Sequence, residues 1–357
     1  MNNGSVLIIG SQGYLGSRLT EYLIENDFNV MGTDTGFFKN GVIYQPYEKN
    51  ILKIDARDIK GELIEKFDSV ILLAGISNDP FNGFNPEDVY KPSRVYTLRI
   101  AKLCKKLGVQ FIFPSSCSIY GVADGIVNEN NKPNPQTFYS RNKIEIENDL
   151  EAIADNEFHP IALRLATVFG PSSRIRFDVV VNMLCGMALV NKEIILNSNG
   201  QAWRPNVHIE DVCNVFKQCL LNRKKIKGFT VLNVGKDENN IKIIDIANLI
   251  KNEINGCSIS FLNKKSNVEE IFKDRKIQDG VDVRTYKVDF AKLEKTFPNL
   301  KLKWNMQNGI RNLIEFLETY LLNENKFKQR EFYRLQQLEF LLSTKQLNKN
   351  LIWIKNV

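Results

Sequence analysis

Along the first 165 residues, short apolar runs bounded by glycine, proline or polar clusters alternate with stretches of helical periodicity. Val6-Leu7-Ile8-Ile9 breaks into Gly10, Gly13 and Gly16 and continues as a helix. Further apolar runs stand at 28–33, 51–54, 69–75, 109–114 and 160–165, and helical patterns at 86–107 and 139–154. Continuous apolar runs suit strands covered on both faces, as in parallel sheets. Strands alternating with helices therefore predict an α/β, doubly wound parallel sheet, with ligands at the carboxyl ends of the strands.

From Thr167 the pattern becomes irregular, and up to about Trp304 it predicts a smaller lobe closing over the sheet, with 206–234 returning to the main domain. The expected organisation is a dinucleotide-binding domain over 1–166 with 206–234, and a substrate-binding lobe over 167–205 and 235–320. A C-terminal helical extension follows over 321–357. The tail reads as two helices, 308–322 and 326–344, where Phe332, Leu335, Leu338, Phe340 and Leu342 sit among charges and suit a packing or oligomer face.

Bulk composition narrows the class further. Of 357 residues, 43% are hydrophobic and 25% charged, and no apolar run approaches a membrane span. The formal charge is +7, but Lys and Arg are interleaved with Asp and Glu, which argues against a nucleic-acid partner and for a solvated surface that attracts an anionic substrate. Met1-Asn2-Asn3-Gly4 has neither a basic region nor an apolar signal segment, so the expected location is cytoplasmic. Six scattered cysteines and two histidines lack metal-ligand spacing; reduced thiols and no metal are expected.

Three glycines directly after a strand suit a turn that brings backbone N–H groups to a pyrophosphate at a helix N-terminus, although glycines also serve ordinary turns. Asp34, ending the second strand, can accept hydrogen bonds from the adenosine ribose hydroxyls or merely cap a turn. Residues 35–39 contain no arginine for a 2′-phosphate, which favours NAD over NADP. Tyr139 and Lys143 are four apart on one helix face. A cation there favours the phenolate and makes tyrosine a proton acceptor, and Ser115-Ser116 ends a strand where such a site belongs. Tyrosine and lysine at this spacing are also common on ordinary helices.

Together these residues resemble the extended short-chain dehydrogenase/reductases, and within them the NAD-dependent nucleotide-sugar epimerase/dehydratase group. The resemblance covers roughly residues 5–320. It rests on the ordered set Gly10-Ser11-Gln12-Gly13-Tyr14-Leu15-Gly16, Asp55-Ala56-Arg57-Asp58, Leu73-Ala74-Gly75, Ser115 to Gly121, Tyr139 with Lys143, Arg164 to Pro171 and Trp203 to Val212. It implies a Rossmann-type sheet with a smaller α/β lobe, NAD as cofactor, a nucleotide-sugar substrate and a homodimer or higher oligomer formed through helices near 98–107 and 143–154.

The resemblance also implies roles. Tyr139 is the acid/base on a sugar hydroxyl, Lys143 holds the nicotinamide ribose, and Ser116 bonds the reacting oxygen. Gly10, Gly13, Tyr14, Leu15, Gly16, Asp34, Asp55, Ala56, Leu73, Ala74, Gly75 and Ser115 belong to the cofactor site. Arg204 pairs with the substrate diphosphate, and Arg284 is a second phosphate candidate or a surface ion pair. Ser77 and Thr167 complete the substrate side, replacing a lysine and an asparagine of many relatives. Hydride transfer at C4, by an epimerase or a dehydrogenase/ketoreductase of surface-polysaccharide sugar synthesis, is the activity implied. The alternatives are a 4,6-dehydratase and a non-catalytic NAD-binding or RNA-associated relative. Dehydratases of the family carry Asp-Glu after the catalytic Ser or Thr, where this chain has Cys117 and Ser118.

Overall fold

The computed structural model describes residues 3–77, 85–262 and 284–354; the middle of the expected lobe at 263–283, including Asp282 and Val283 beside Arg284, lies outside them. In chain order, β1 (Ser5–Ile9), α1 (Tyr14–Glu25), β2 (Asn29–Asp34), β3 (Ile51–Lys53), α2 (Gly61–Ile64), β4 (Ser69–Leu72) and α3 (Pro86–Leu107) form the first half of the sheet domain. Next come β5 (Gln110–Ser116), β6 (Val122–Val127), α4 (Phe138–Ile153), β7 (Ile161–Leu165) and β8 (Thr167–Phe169). They are followed by α5 (Val180–Asn191), β9 (Glu193–Leu196), β10 (Trp203–His208), α6 (Ile209–Leu221) and β11 (Thr230–Val234). Then follow β12 (Asn240–Lys242), α7 (Ile243–Glu253), β13 (Ser258–Phe261), β14 (Thr285–Val288), α8 (Ala291–Thr296), α9 (Met306–Thr319), α10 (Glu324–Phe327) and α11 (Arg334–Ser343).

The main sheet has seven strands in the order β11-β7-β5-β4-β1-β2-β3, every pair parallel. Period-two alternation sends Leu7, Ile9, Val70, Leu72, Phe111 and Phe113 to one face, against Ile100, Ala101 and Cys104 of α3 and Ile146 and Leu150 of α4. Val6, Ile8, Ile71, Ile112, Ile161 and Leu163 face the other way, into a cluster that includes Leu19 and Leu23 of α1 and Val212 and Phe216 of α6. Strands buried on both sides explain the unbroken apolar runs of the sequence. The order reverses between β1 and β4, and the crevice outside those strand ends is where a ligand binds in such sheets.

Among the described residues there are three smaller sheets, β12-β10-β8, β13-β9 and β14-β6. Of the segment 206–234, β11 lies in the main sheet beside β7, whereas β10 pairs with β8 and β12. The α3 and α4 helices lie side by side, joined by Arg94 to Asp149 at 2.6 Å. Among the described residues, no helix is long and apolar enough to cross a membrane.

A continuous helix over 326–344 is not formed. The helix stops at Phe327, a single tight turn covers Arg330–Phe332, and α11 starts at Arg334. Phe327, Phe332 and Tyr333 all meet Phe177, at centroid distances of 4.9, 5.5 and 6.4 Å. At 3.6 residues per turn, one straight helix would aim Phe327 and Phe332 about 140° apart. Breaking the helix lets all three rings reach one partner. Leu338 is instead fully buried in a separate cluster with Val89 and Tyr90 of α3.

Candidate active site

The crevice starts at the glycine turn. Gly10 has φ +97°, and a Cβ there would come within 2.5 Å of the Ala74 nitrogen; one on Gly16 would overlap the Gly10 carbonyl oxygen. Only glycine lets the turn, the first helical turn of α1 and the Leu73-Ala74-Gly75 segment approach so closely. Gly13 caps α1 with no side-chain bond, so the first-turn N–H groups, Leu15 and Gly16 among them, have no capping side chain. Tyr14 is held by its hydroxyl, which donates to the Gly170 carbonyl at 2.8 Å.

At the end of β2, the Asp34 carboxylate accepts from Gln12 N at 2.9 Å and Gly36 N at 2.8 Å. Burial raises its pKa, opposed by those two bonds and by Arg174 and Arg334. Asp55 is gripped by Arg57 Nη2 at 2.6 Å beside the buried Ala56. An uncapped helix start, a carboxylate at the tip of β2 and a glycine-floored turn fit a dinucleotide. Asp34→Ala is expected to weaken NAD binding and to narrow its advantage over NADP, since the carboxylate that repels a 2′-phosphate is gone. Titration of both dinucleotides against both proteins checks this; equal affinities in the wild type would refute the assignment.

The residues expected to react lie on β5 and α4. Thr137 caps α4 reciprocally with Ser140, which fixes Tyr139 in the first turn. One turn on, Lys143 Nζ donates to the Pro114 carbonyl at 2.6 Å and lies 5.5 Å from the Tyr139 ring centroid. The structure thus brings Lys143 to Pro114, two residues before Ser116, with Tyr139 on the same side of α4. Burial pulls the Lys143 ammonium down to about 7, opposed by Glu147. Its charge is therefore responsive to neighbours near neutrality, and a phenolate beside it favours the charged form. Ser116 Oγ accepts from Ser118 N at 3.1 Å.

Ser115, expected in the cofactor site, is 2% exposed and donates its hydroxyl to Glu147. Its side chain points into a buried network. There Glu147 takes Arg164 Nη2 at 2.7 Å, Arg164 Nη1 donates to Tyr120 Oη at 2.9 Å, and Tyr120 donates to Asn233 at 2.8 Å. This chain ties α4 to β7, β11 and the turn after β5. Cys117 donates its thiol to the Arg164 carbonyl, and burial pushes its pKa up, so it is no nucleophile. His208 caps α6 and stacks on Trp304 at 4.3 Å, with burial pulling it down to about 3.

On the substrate side, Arg204 and Arg284 meet, the Arg204 guanidinium donating to the Arg284 carbonyl. Thr167 opens β8 in register with Asn206. Ser77 Oγ accepts from Arg176 Nη1 at 2.6 Å. Arg176 also grips Asp178 at 2.8 Å, and Asp178 accepts the Arg334 backbone N–H at 3.1 Å. Arg174, 1% exposed, donates to Ser17 Oγ at 3.2 Å and to Glu48 at 2.5 Å. These three arginines and Glu147 escaped the sequence reading. Arg174 and Arg176 follow Gly170-Pro171 within a few residues, a position that could have flagged them; nothing local flags Arg334.

With this geometry, the chain belongs to the NAD dependent epimerase/dehydratase family, whose model matches residues 6–235. NAD is accordingly its cofactor. It is similar to a Bacillus subtilis (strain 168) protein named as an uncharacterized UDP-glucose epimerase, YtcB, with 29% identity over 69% of this chain and 81% of that one. The fold is shared with UDP-glucuronic acid 4-epimerase from Bacillus cereus, at 21% identity and a TM-score of 0.70 over 88% of this chain and 99% of that one. It is shared also with TunA, an NAD-dependent NDP-hexosamine 5,6-dehydratase, at 19% identity and a TM-score of 0.74 over 88% and 98%.

Proposed function

We propose that the protein transfers hydride at C4 of a nucleotide-linked sugar, as an epimerase or a C4 dehydrogenase/ketoreductase, in the synthesis of surface-polysaccharide sugars. The observation that carries this reading is Lys143, one turn from Tyr139, bonded to the Pro114 carbonyl near the end of β5, with no acid in the two positions after Ser116. NAD, when bound, supplies the hydride acceptor and donor. Tyr139 takes the proton from the sugar hydroxyl as the C–H bond breaks and returns it when the ketone is reduced. Ser116 holds the reacting oxygen, and Lys143 favours the phenolate. Arg204 and Arg284 bind the diphosphate, a task suited to guanidinium forks.

Loss of water from C5 and C6 needs an acid for the departing hydroxyl and a base for the C5 proton. Cys117 is buried against a carbonyl, and the buried Ser118 hydroxyl has no hydrogen-bond partner among the described residues. Neither serves as that acid. The similarity to YtcB and the fold shared with the Bacillus cereus epimerase support UDP-sugars as the first to be tried. Incubation with UDP-glucose and UDP-glucuronic acid in deuterated water is expected to give products of unchanged mass or with two hydrogens lost, without solvent label. Loss of water with deuterium at C6 would overturn the reading.

A further inference from the structure

The segment 330–354 packs on the loops after β2 and β3 and on the apolar cluster beside Tyr139. At the adenine end, Arg57, which also holds Asp55, donates to the Asn350 carbonyl at 2.7 Å and the Leu351 carbonyl at 2.9 Å. At the ribose end, Trp353 Nε1 donates to the Thr35 carbonyl, one residue after Asp34, at 2.7 Å. Its ring packs on Phe37 at 5.6 Å and under the Lys53 ammonium at 5.3 Å. Gln337 Nε2 donates to the Phe37 carbonyl at 3.1 Å, and the Arg334 guanidinium lies 4.3 Å from the Phe38 ring. At the reacting end, Leu338, Leu341, Leu347 and Leu351 form one apolar cluster with Val89 and Tyr90, and Ile76 and Tyr139 pack against it.

One continuous stretch of chain therefore touches the loops after β2 and β3 and the cluster against which Tyr139 packs. Side-chain donors meet main-chain carbonyls beside Asp34 and Asp55, and leucines pack near Tyr139. Arg334 adds a buried guanidinium whose side-chain donors meet the Glu331 and Arg174 carbonyls, near Arg174, which pairs with Glu48, and Arg176, which pairs with Asp178.

We propose that residues 330–354 form the outer wall of the cofactor site and slow the exchange of NAD with solution. This deepens the functional reading above and rests on its assignment of the crevice to the dinucleotide. Exchange of the cofactor requires the Trp353 and Arg57 bonds to break and the leucine cluster to part.

The test needs no sugar. The full-length protein is loaded with the fluorescent analogue 1,N6-etheno-NAD and chased with excess NAD, alongside Trp353→Ala, Trp353→Phe and a chain ending at Thr344. The wild type is expected to retain the analogue through gel filtration, and Trp353→Ala and the shortened chain to release it at least about tenfold faster, a change in residence time of the kind interface mutations produce. Trp353→Phe, which keeps a ring but loses the N–H, is expected to fall between and serves as the folded control. Equal release rates in the wild type and Trp353→Phe or Trp353→Ala would overturn the proposal. So would a wild type that binds the analogue only after the tail is removed. A retained cofactor with no turnover of any nucleotide-sugar would instead refute the functional reading and leave the wall standing.

Discussion

Replacing Tyr139 with phenylalanine is expected to lower turnover by about 10²- to 10⁴-fold, the range that a positioned acid or base contributes. The fold and NAD affinity should stay close to wild type. The substitution removes one oxygen from a partly buried ring that packs near Tyr90 at 6.2 Å, and that packing survives. Lys143 keeps its bond to Pro114 and its place 4.3 Å from the Phe113 ring. What is lost is the proton acceptor for the sugar hydroxyl, which neither Ser116 nor the buried Cys117 can replace. Single-turnover measurement of bound nicotinamide reduction, beside an NAD titration, separates chemistry from binding. A variant within a few-fold of wild type would place the base elsewhere.

Glu147→Ala is expected to cost about 3–5 kcal/mol of stability, the usual penalty for removing one partner of a buried ion pair. Glu147 is 3% exposed and Arg164 6%. Without the carboxylate, the guanidinium is left beside Tyr120, and the Ser115 hydroxyl loses its acceptor. Glu147→Gln keeps an acceptor of the same shape and should lose less, although it still leaves the Arg164 charge without its counter-charge. Denaturant midpoints for the three proteins check the order, at fixed cofactor concentration, because NAD bound to the native state adds its own stabilisation. A midpoint for Glu147→Ala equal to wild type would show that water or a rearranged side chain satisfies Arg164.

The parallel strands and the glycine turn were legible because their signals are local. An apolar run buried on both faces and a glycine at positive φ each declare themselves within a few residues. The Tyr139 and Lys143 pair was legible by helical spacing, and the structure places Lys143 on Pro114 of β5. Other features depend on distant chain. Glu147 is four residues after Lys143, a spacing that reads as an exposed helix pair, yet β7 supplies Arg164 and buries it. The bond of the Ser115 hydroxyl to Glu147 was not legible either, because it depends on how α4 packs on β5. The break between Phe327 and Arg334 follows from the position of Phe177, which helical periodicity alone does not encode. Residues 35–39 contain no arginine, but Arg174 and Arg334 reach the neighbourhood of Asp34 from later in the sequence.

The bond between Trp353 and Thr35 joins positions 318 residues apart. At about 5–20 residues per second, some 16 to 64 seconds separate the two leaving the ribosome. The glycine turn, Asp34 and all the strands of the main sheet are made before Trp353, so the wall proposed above is the last part of the site to be synthesised.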